Sequence, residues 1–254
     1  MYAAVALRFA IATLVLMPLA VRAGPWPKGR AWLYLVIAGV LDAGAYLLVY
    51  LGEQRVSGGV AAVLYGTQPL ILAVLLAATR IEKLTRRHLV GALVSLCGVA
   101  VLAADRFEVS PRQALGVVLI VGSVIVSTIY SMVMKQRGGG VNGLVSTTIF
   151  IAVTAAVLGI VAIIAREPLP WPLPFAPTAA LCYLAVVGSV VAFLVYFWLL
   201  DATTLVLTST LVFVYPLVAL VIDACFERAI TLGPRAYIGA AVTLAGLAVT
   251  LRRG

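Results

Sequence analysis

Polar residues along the chain fall in short breaks between long apolar runs. A bilayer core requires about 20 apolar residues per helix, within a usual range of about 17–25. On that length the pattern predicts nine membrane spans: residues 2–21, 31–51, 58–79, 88–104, 113–134, 143–165, 178–200, 205–225 and 234–251. The breakers between them include Gly24-Pro25-Trp26-Pro27, Glu53 to Gly58, Arg80 to Arg87 and the Pro-rich Arg166 to Pro177. The runs are too long for barrel strands and do not alternate with period two. An all-α, polytopic membrane protein is the fold class this pattern implies.

Composition agrees. Of 254 residues, 64% are apolar and 11% charged, far from the roughly one quarter charged of an ordinary soluble domain. Too few charges are available to cover a water-exposed surface, which excludes soluble enzymes, disordered chains and disulfide scaffolds. The net charge of +9 sits in loops between spans and forms no stripe, so it points to the positive-inside rule and anionic headgroups, with no nucleic-acid partner. Lys and Arg in alternate loops (Arg22, Lys28 and Arg30; Arg80, Lys83, Arg86 and Arg87; Lys135 and Arg137; Arg252 and Arg253) outnumber those opposite. This orients the C-terminus to the cytoplasm, and nine spans then put the N-terminus outside. Cys97, Cys182 and Cys225 lie inside apolar stretches without paired spacing, so they are expected to be buried small hydrophobes, neither disulfides nor metal ligands.

The chain repeats itself. Val60 to Pro69 aligns with Leu207 to Pro216 at an offset of 147, and Ala45 to Tyr50 aligns with Ala192 to Phe197. Glu82 and Glu227 follow, then the pairs Gly91/Gly98 and Gly239/Gly246 at an offset of 148. The expected units are residues 1–108, with four spans, and 109–254, with five. An odd number of helices per unit inserts the halves with opposite orientation, an architecture of transporters with substrate sites near the midplane.

These features resemble the EamA-like family of the drug/metabolite transporter superfamily. The resemblance is carried by Ala6-Leu7-Arg8-Phe9, by Pro69, Glu82, Thr85 and Gly91/Gly98, and by the second copy at Pro216, Glu227, Thr231, Gly239 and Gly246. It covers nearly the whole chain and implies ten helices in two inverted five-helix repeats, carrying small metabolites or drugs, commonly outward. Against that pattern the chain begins at what corresponds to the second helix, so a truncated or miscalled start is the expectation. Its Pro216 to Glu227 spacing is also two residues shorter than Pro69 to Glu82.

Candidate chemistry centres on Asp42, a mid-span acid that costs about 2.5–3.5 kcal/mol to insert and so needs a cavity or partner. Arg8 and Asp42 lie at depths differing by about 4–5 Å in an antiparallel hairpin, which predicts a buried Arg8–Asp42 ion pair. The alternative for Asp42 is proton coupling or amine binding. Asp42, Tyr46 and Tyr50 share one helical face; the repeat-equivalent face carries Ser189, Phe193 and Phe197, with Trp198 beside it. Ser123, Ser127, Tyr130 and Ser131 form another stripe. Tyr65, Gln68 and Pro69, with Tyr215 and Pro216 in the second copy, predict a pair of proline-kinked helices as the symmetric core of a substrate path. For each group, helix packing is the competing role.

His88 is the single histidine, and no HExxH motif, metal-ligand cluster, nucleophile elbow or phosphate loop occurs. No metal or cofactor is expected. The reading is a secondary transporter of small organic solutes, amino acids or amphipathic metabolites, in a prokaryotic cytoplasmic membrane. It works by alternating access, driven by proton exchange through Asp42 or by facilitated efflux. The alternatives are a membrane-embedded enzyme, a non-transporting subunit or an inactive fragment.

Overall fold

A computed structural model describes residues 2–82, 85–102, 111–136, 141–167, 174–218 and 234–251. All the regular structure among them is helical. In chain order the elements are α1 (Tyr2–Ala23), α2 (Arg30–Glu53), α3 (Gly58–Tyr65), α4 (Gln68–Thr79), α5 (Arg86–Leu102), α6 (Pro111–Lys135) and α7 (Gly143–Ile164). Then come α8 (Phe175–Ala185), a π-helical segment (Val186–Val191), α9 (Ala192–Ala202), α10 (Leu205–Ser209), a 3-10 segment (Thr210–Phe213), α11 (214–218) and α12 (Pro234–Leu251).

Among the described residues six helical runs are long and apolar enough to cross a bilayer: α1, α2, α3 with α4, α6, α7, and α8 through α9. Shorter apolar runs cover Leu205–Val218 and Tyr237–Thr250. Each of the nine predicted spans falls on helix; 103–104 and 219–225 lie outside the described residues. The fold is a polytopic all-α membrane fold.

The chain forms two compact units, Met1–Leu47 with Ile129–Ala202, and Leu48–Thr128 with Thr203–Gly254. Each draws on both halves of the sequence, and α2 and α6 contribute to both.

In the first unit α1 lies along α7 and also meets α8 and the π segment. Alanines make this possible: Ala3, Ala6, Ala12 and Ala20 are all buried on α1, and small residues let helices approach where lipid offers no hydrophobic drive. Asn142 starts α7, accepting from Leu144 N–H at 2.8 Å, which satisfies one of the free donors of the first turn.

In the second unit α5 crosses α12 backbone to backbone. A Cβ on Gly91 would sit 2.7 Å from the Gly246 carbonyl, and one on Gly98 2.7 Å from the Gly239 carbonyl. Gly91 therefore meets Gly246 and Gly98 meets Gly239, so the helices run antiparallel. Because Gly91 corresponds to Gly239 and Gly98 to Gly246, the crossing relates equivalent helices of the two repeats by an inverted pseudo-two-fold. Ala92, Val99, Val212, Phe213 and Leu247 form the adjoining core, with Ala62, Leu70 and Leu217 packed on it.

Cys97 and Cys182 are exposed, which corrects the expectation that they are buried. A helix apolar all round has no polar face to mark its outer side, so in lipid a cysteine packs on either. Cys225 lies outside the described residues.

Candidate functional site

Two groups of polar side chains stand out, one in each unit. In the first, Asp42 on α2 is only 2% exposed. Gly39, one turn earlier, allows α2 to press against α7: a Cβ there would come within 2.9 Å of the Phe150 carbonyl. That approach brings Thr154 Oγ1 within 3.0 Å of Asp42 Oδ2, 3.0 Å of the Phe150 carbonyl and 3.2 Å of the Gly39 carbonyl. A hydroxyl has one proton to donate. Three acceptors therefore compete for it, and the cluster gains a donor when Asp42 carries a proton of its own.

Arg8 on α1 reaches the π segment instead. Its Nε donates to Ser189 Oγ at 2.8 Å and an Nη to the Gly188 carbonyl at 2.8 Å. The wide π turn, in which Ala192 N–H reaches back to Val187 O, displaces carbonyls from the regular ladder; such bulges recur at functional sites. The direct Arg8–Asp42 ion pair predicted from depth is thus corrected. Arg8 lies within electrostatic reach of Asp42, but among the described residues each takes its hydrogen bonds elsewhere. Depth arithmetic fixes a height along the membrane normal and leaves the azimuth open. Ser189 is the repeat counterpart of Asp42, at the same offset of 147, so Arg8 binds the position equivalent to the acid.

Around these groups lies an aromatic cluster. Phe9 packs edge-on to Tyr46 at 5.0 Å and faces Phe193 at 6.1 Å. Phe150 contacts Tyr130, Phe193 and Phe197 at 5.4, 5.3 and 4.9 Å. Tyr46, Tyr130 and Phe193 are thereby brought together with Asp42 in one unit. Trp198 is not: it is 67% exposed. One residue beyond Phe197 turns the helix by about 100°, so burial of Phe193 and Phe197 aims Trp198 outward. Tyr196 Oη pairs with Ser131 Oγ at 2.7 Å, a contact the sequence reading missed along with the roles of Thr154 and Gly188. Its signal was there in the serine stripe of α6.

The second unit holds Tyr50, Tyr65, Gln68, Pro69, Ser127, Tyr215 and Pro216. Tyr65 Oη meets Ser123 Oγ at 2.8 Å, whereas Ser127 bonds the Ser123 and Val124 carbonyls of its own helix. The expected proline kink takes another form. The helix breaks at Gly66-Thr67, and Pro69 lies in the first turn of α4, where a missing N–H leaves no bond unmade. The second copy is continuous but tightened: α10 passes through the 3-10 segment into α11, which carries Pro216. Ser57 caps α3 and Thr204 caps α10, at the repeat offset. Gln68 is half-buried at its break, and Tyr215 is 61% exposed. Among the described residues no cluster of His, Cys, Asp or Glu could hold a metal ion.

The sequence profile of the EamA-like transporter family matches residues 1–104 and 114–252. Protein PecM of Dickeya dadantii is 28% identical over 206 residues, spanning 79% of this chain and 67% of PecM. A protein of Streptantibioticus cattleyicolor named probable terminal-alkyne amino-acid exporter is 26% identical over 251 residues, 95% of this chain and 82% of that one. A solved crystal structure superposes with a TM-score of 0.82 at 21% identity, over 98% of this chain and 88% of its own; at that identity the likeness is one of fold.

Proposed function

The chain belongs to the EamA-like transporter family, a family of transporters and not of enzymes, and on that premise we propose that it is a secondary transporter exporting small organic metabolites, amino acids foremost. It works by alternating access in a prokaryotic cytoplasmic membrane, exchanging solute for protons at Asp42. The loop charges favour a cytoplasmic C-terminus.

The carrying observation is the crowded Thr154 hydroxyl. A protonated Asp42 donates to Thr154 Oγ1, whose own proton then serves a backbone carbonyl; a charged Asp42 must compete for that proton. Ionisation in the membrane interior is costly, so the charged form calls for a cationic partner, and an arriving ammonium group supplies one. Arg8, with two of its five N–H groups engaged by Ser189 and Gly188, complements the carboxylate of an amino acid, and Tyr46, Tyr130 and Phe193 its apolar part. The S. cattleyicolor relative's name, an amino-acid exporter, supports this substrate class. In the second unit Tyr50, Tyr65, Gln68, Ser127, Tyr215 and the irregular turns ahead of Pro69 and Pro216 are the positions we assign to solute passage.

The test is counterflow in proteoliposomes across a panel of amino acids, at several pH values. Substrate-dependent exchange that acidifies or alkalinises the lumen, with the pH dependence lost in Asp42→Asn, is the expected result. Exchange unaltered by Asp42→Asn at every pH would remove proton coupling and leave facilitated efflux.

A further inference from the structure

We propose that the first unit carries a second site, distinct from the solute path, that binds an anionic phospholipid. The end of α1, the loop after it and the start of α2 lean on α7 around a cleft of about 280 Å³. Met17, Trp26, Trp32, Ile149, Val153 and Ala156 line it. The lining along α7 runs from Thr148 to Ala156, nine residues and about 12 Å of helix. Its one hydroxyl, that of Thr148, donates to the Leu144 carbonyl of its own helix, so the cleft offers a ligand almost nothing but hydrocarbon contact.

Charge identifies the occupant. Trp26 and Trp32, both in the wall of the cleft, stack at 6.3 Å, and three exposed cations lie close to them in sequence: Arg22 in the last turn of α1, Lys28 in the loop and Arg30 opening α2. Neither α1, the loop after it, α2 as far as Val40, nor α7 carries a carboxylate, so none on these stretches neutralises the cations. Indole rings favour the interface between hydrocarbon and headgroups. An apolar slot, an indole pair in its wall and three neighbouring exposed cations match an acyl chain, a glycerol backbone and an anionic phosphate headgroup. A zwitterionic lipid carries the same phosphate but offsets it with its own ammonium, so it matches the cations less well. The ligand is therefore a lipid of the phosphatidylglycerol type.

The experiment uses the full chain reconstituted in bilayers, with Trp171→Phe and Trp198→Phe leaving Trp26 and Trp32 as reporters. Quenching by brominated phosphatidylglycerol is compared with quenching by brominated phosphatidylcholine. Each Lys or Arg near the surface adds appreciably to anionic-lipid binding, so a relative binding constant of about fivefold or more in favour of phosphatidylglycerol is expected. Lys28→Gln with Arg30→Gln should bring it towards one, and Ala156→Phe, which fills the slot, should remove the preference while leaving helix content and solute exchange unchanged. A relative constant near one in the unaltered protein would overturn the site, as would a preference that survives both substitutions. Because solute exchange is read separately, failure here leaves the transport assignment untouched, and the reverse also holds.

Discussion

The two units solve the same packing problem with different chemistry. In the second, α5 and α12 meet through four glycines, with neighbouring backbone and hydroxyls filling the space a side chain would need. In the first, α2 meets α7, and α1 meets the π segment, through a carboxylate, a guanidinium and two hydroxyls. Glycine contacts are steric, and cores under steric contact resist change. Hydrogen-bonded charges can exchange partners when a proton or ligand arrives, the response proposed above for Asp42. The contrast teaches where a fixed axis and where a responsive element belong.

The harshest way to break the comparison is Gly98→Leu. Even a Cβ would lie 2.3 Å from Thr243 Oγ1 and 2.4 Å from its backbone nitrogen, so relief requires the helices to part. Overpacking costs about 1–3 kcal/mol and occasionally more; here we expect the upper end, read as a lowered thermal midpoint and loss of monodisperse protein in detergent. Asp42→Asn should leave the fold intact and strike function instead, with pH-independent exchange reduced about tenfold or more, measured as solute counterflow. Ser189→Ala removes one bond to Arg8; net loss of a hydrogen bond to a charged group is about 1.5–3 kcal/mol, seen in denaturant titration, and restored in part by Ser189→Thr. Pro69→Ala sharpens the contrast from the other side. Since Pro69 occupies a first turn, its replacement should change stability by less than about 1 kcal/mol, whereas a kinking mid-helix proline would give a larger effect. Trp198→Leu is expected to alter neither stability nor transport, as its ring lies outside the aromatic cluster.

Much of this was legible in the sequence because membrane helices are written in long apolar runs, and a duplication writes them twice. The offset of 147 placed Pro69 with Pro216, and in the structure it also relates the capping residues Ser57 and Thr204. What the sequence withheld was rotation about each helix axis. In a soluble helix a polar stripe reports the outer face; in lipid both faces are apolar, so the exposure of Trp198 and of Cys97 had no signature. The break at Gly66-Thr67 was hidden for a related reason: a proline in an apolar run marks a bend in a continuous helix and the start of a new one equally well. The π segment showed only the Gly188-Ser189 pair among valines, a step that marks a helix distortion without fixing its kind.

The glycine crossing carries one further consequence. An interface in which position i meets j while j meets i is isologous, the geometry of a two-fold homodimer, and α5 with α12 repeats it inside one polypeptide. In a true homodimer a single mutation would alter both contacts together. Here each can drift alone, and drift has begun: the Ser95 hydroxyl crosses to the Thr243 carbonyl at 3.1 Å, while the Thr243 hydroxyl turns back to Gly239 of its own helix at 2.8 Å. A dimer's symmetry has become two separately adjustable joints.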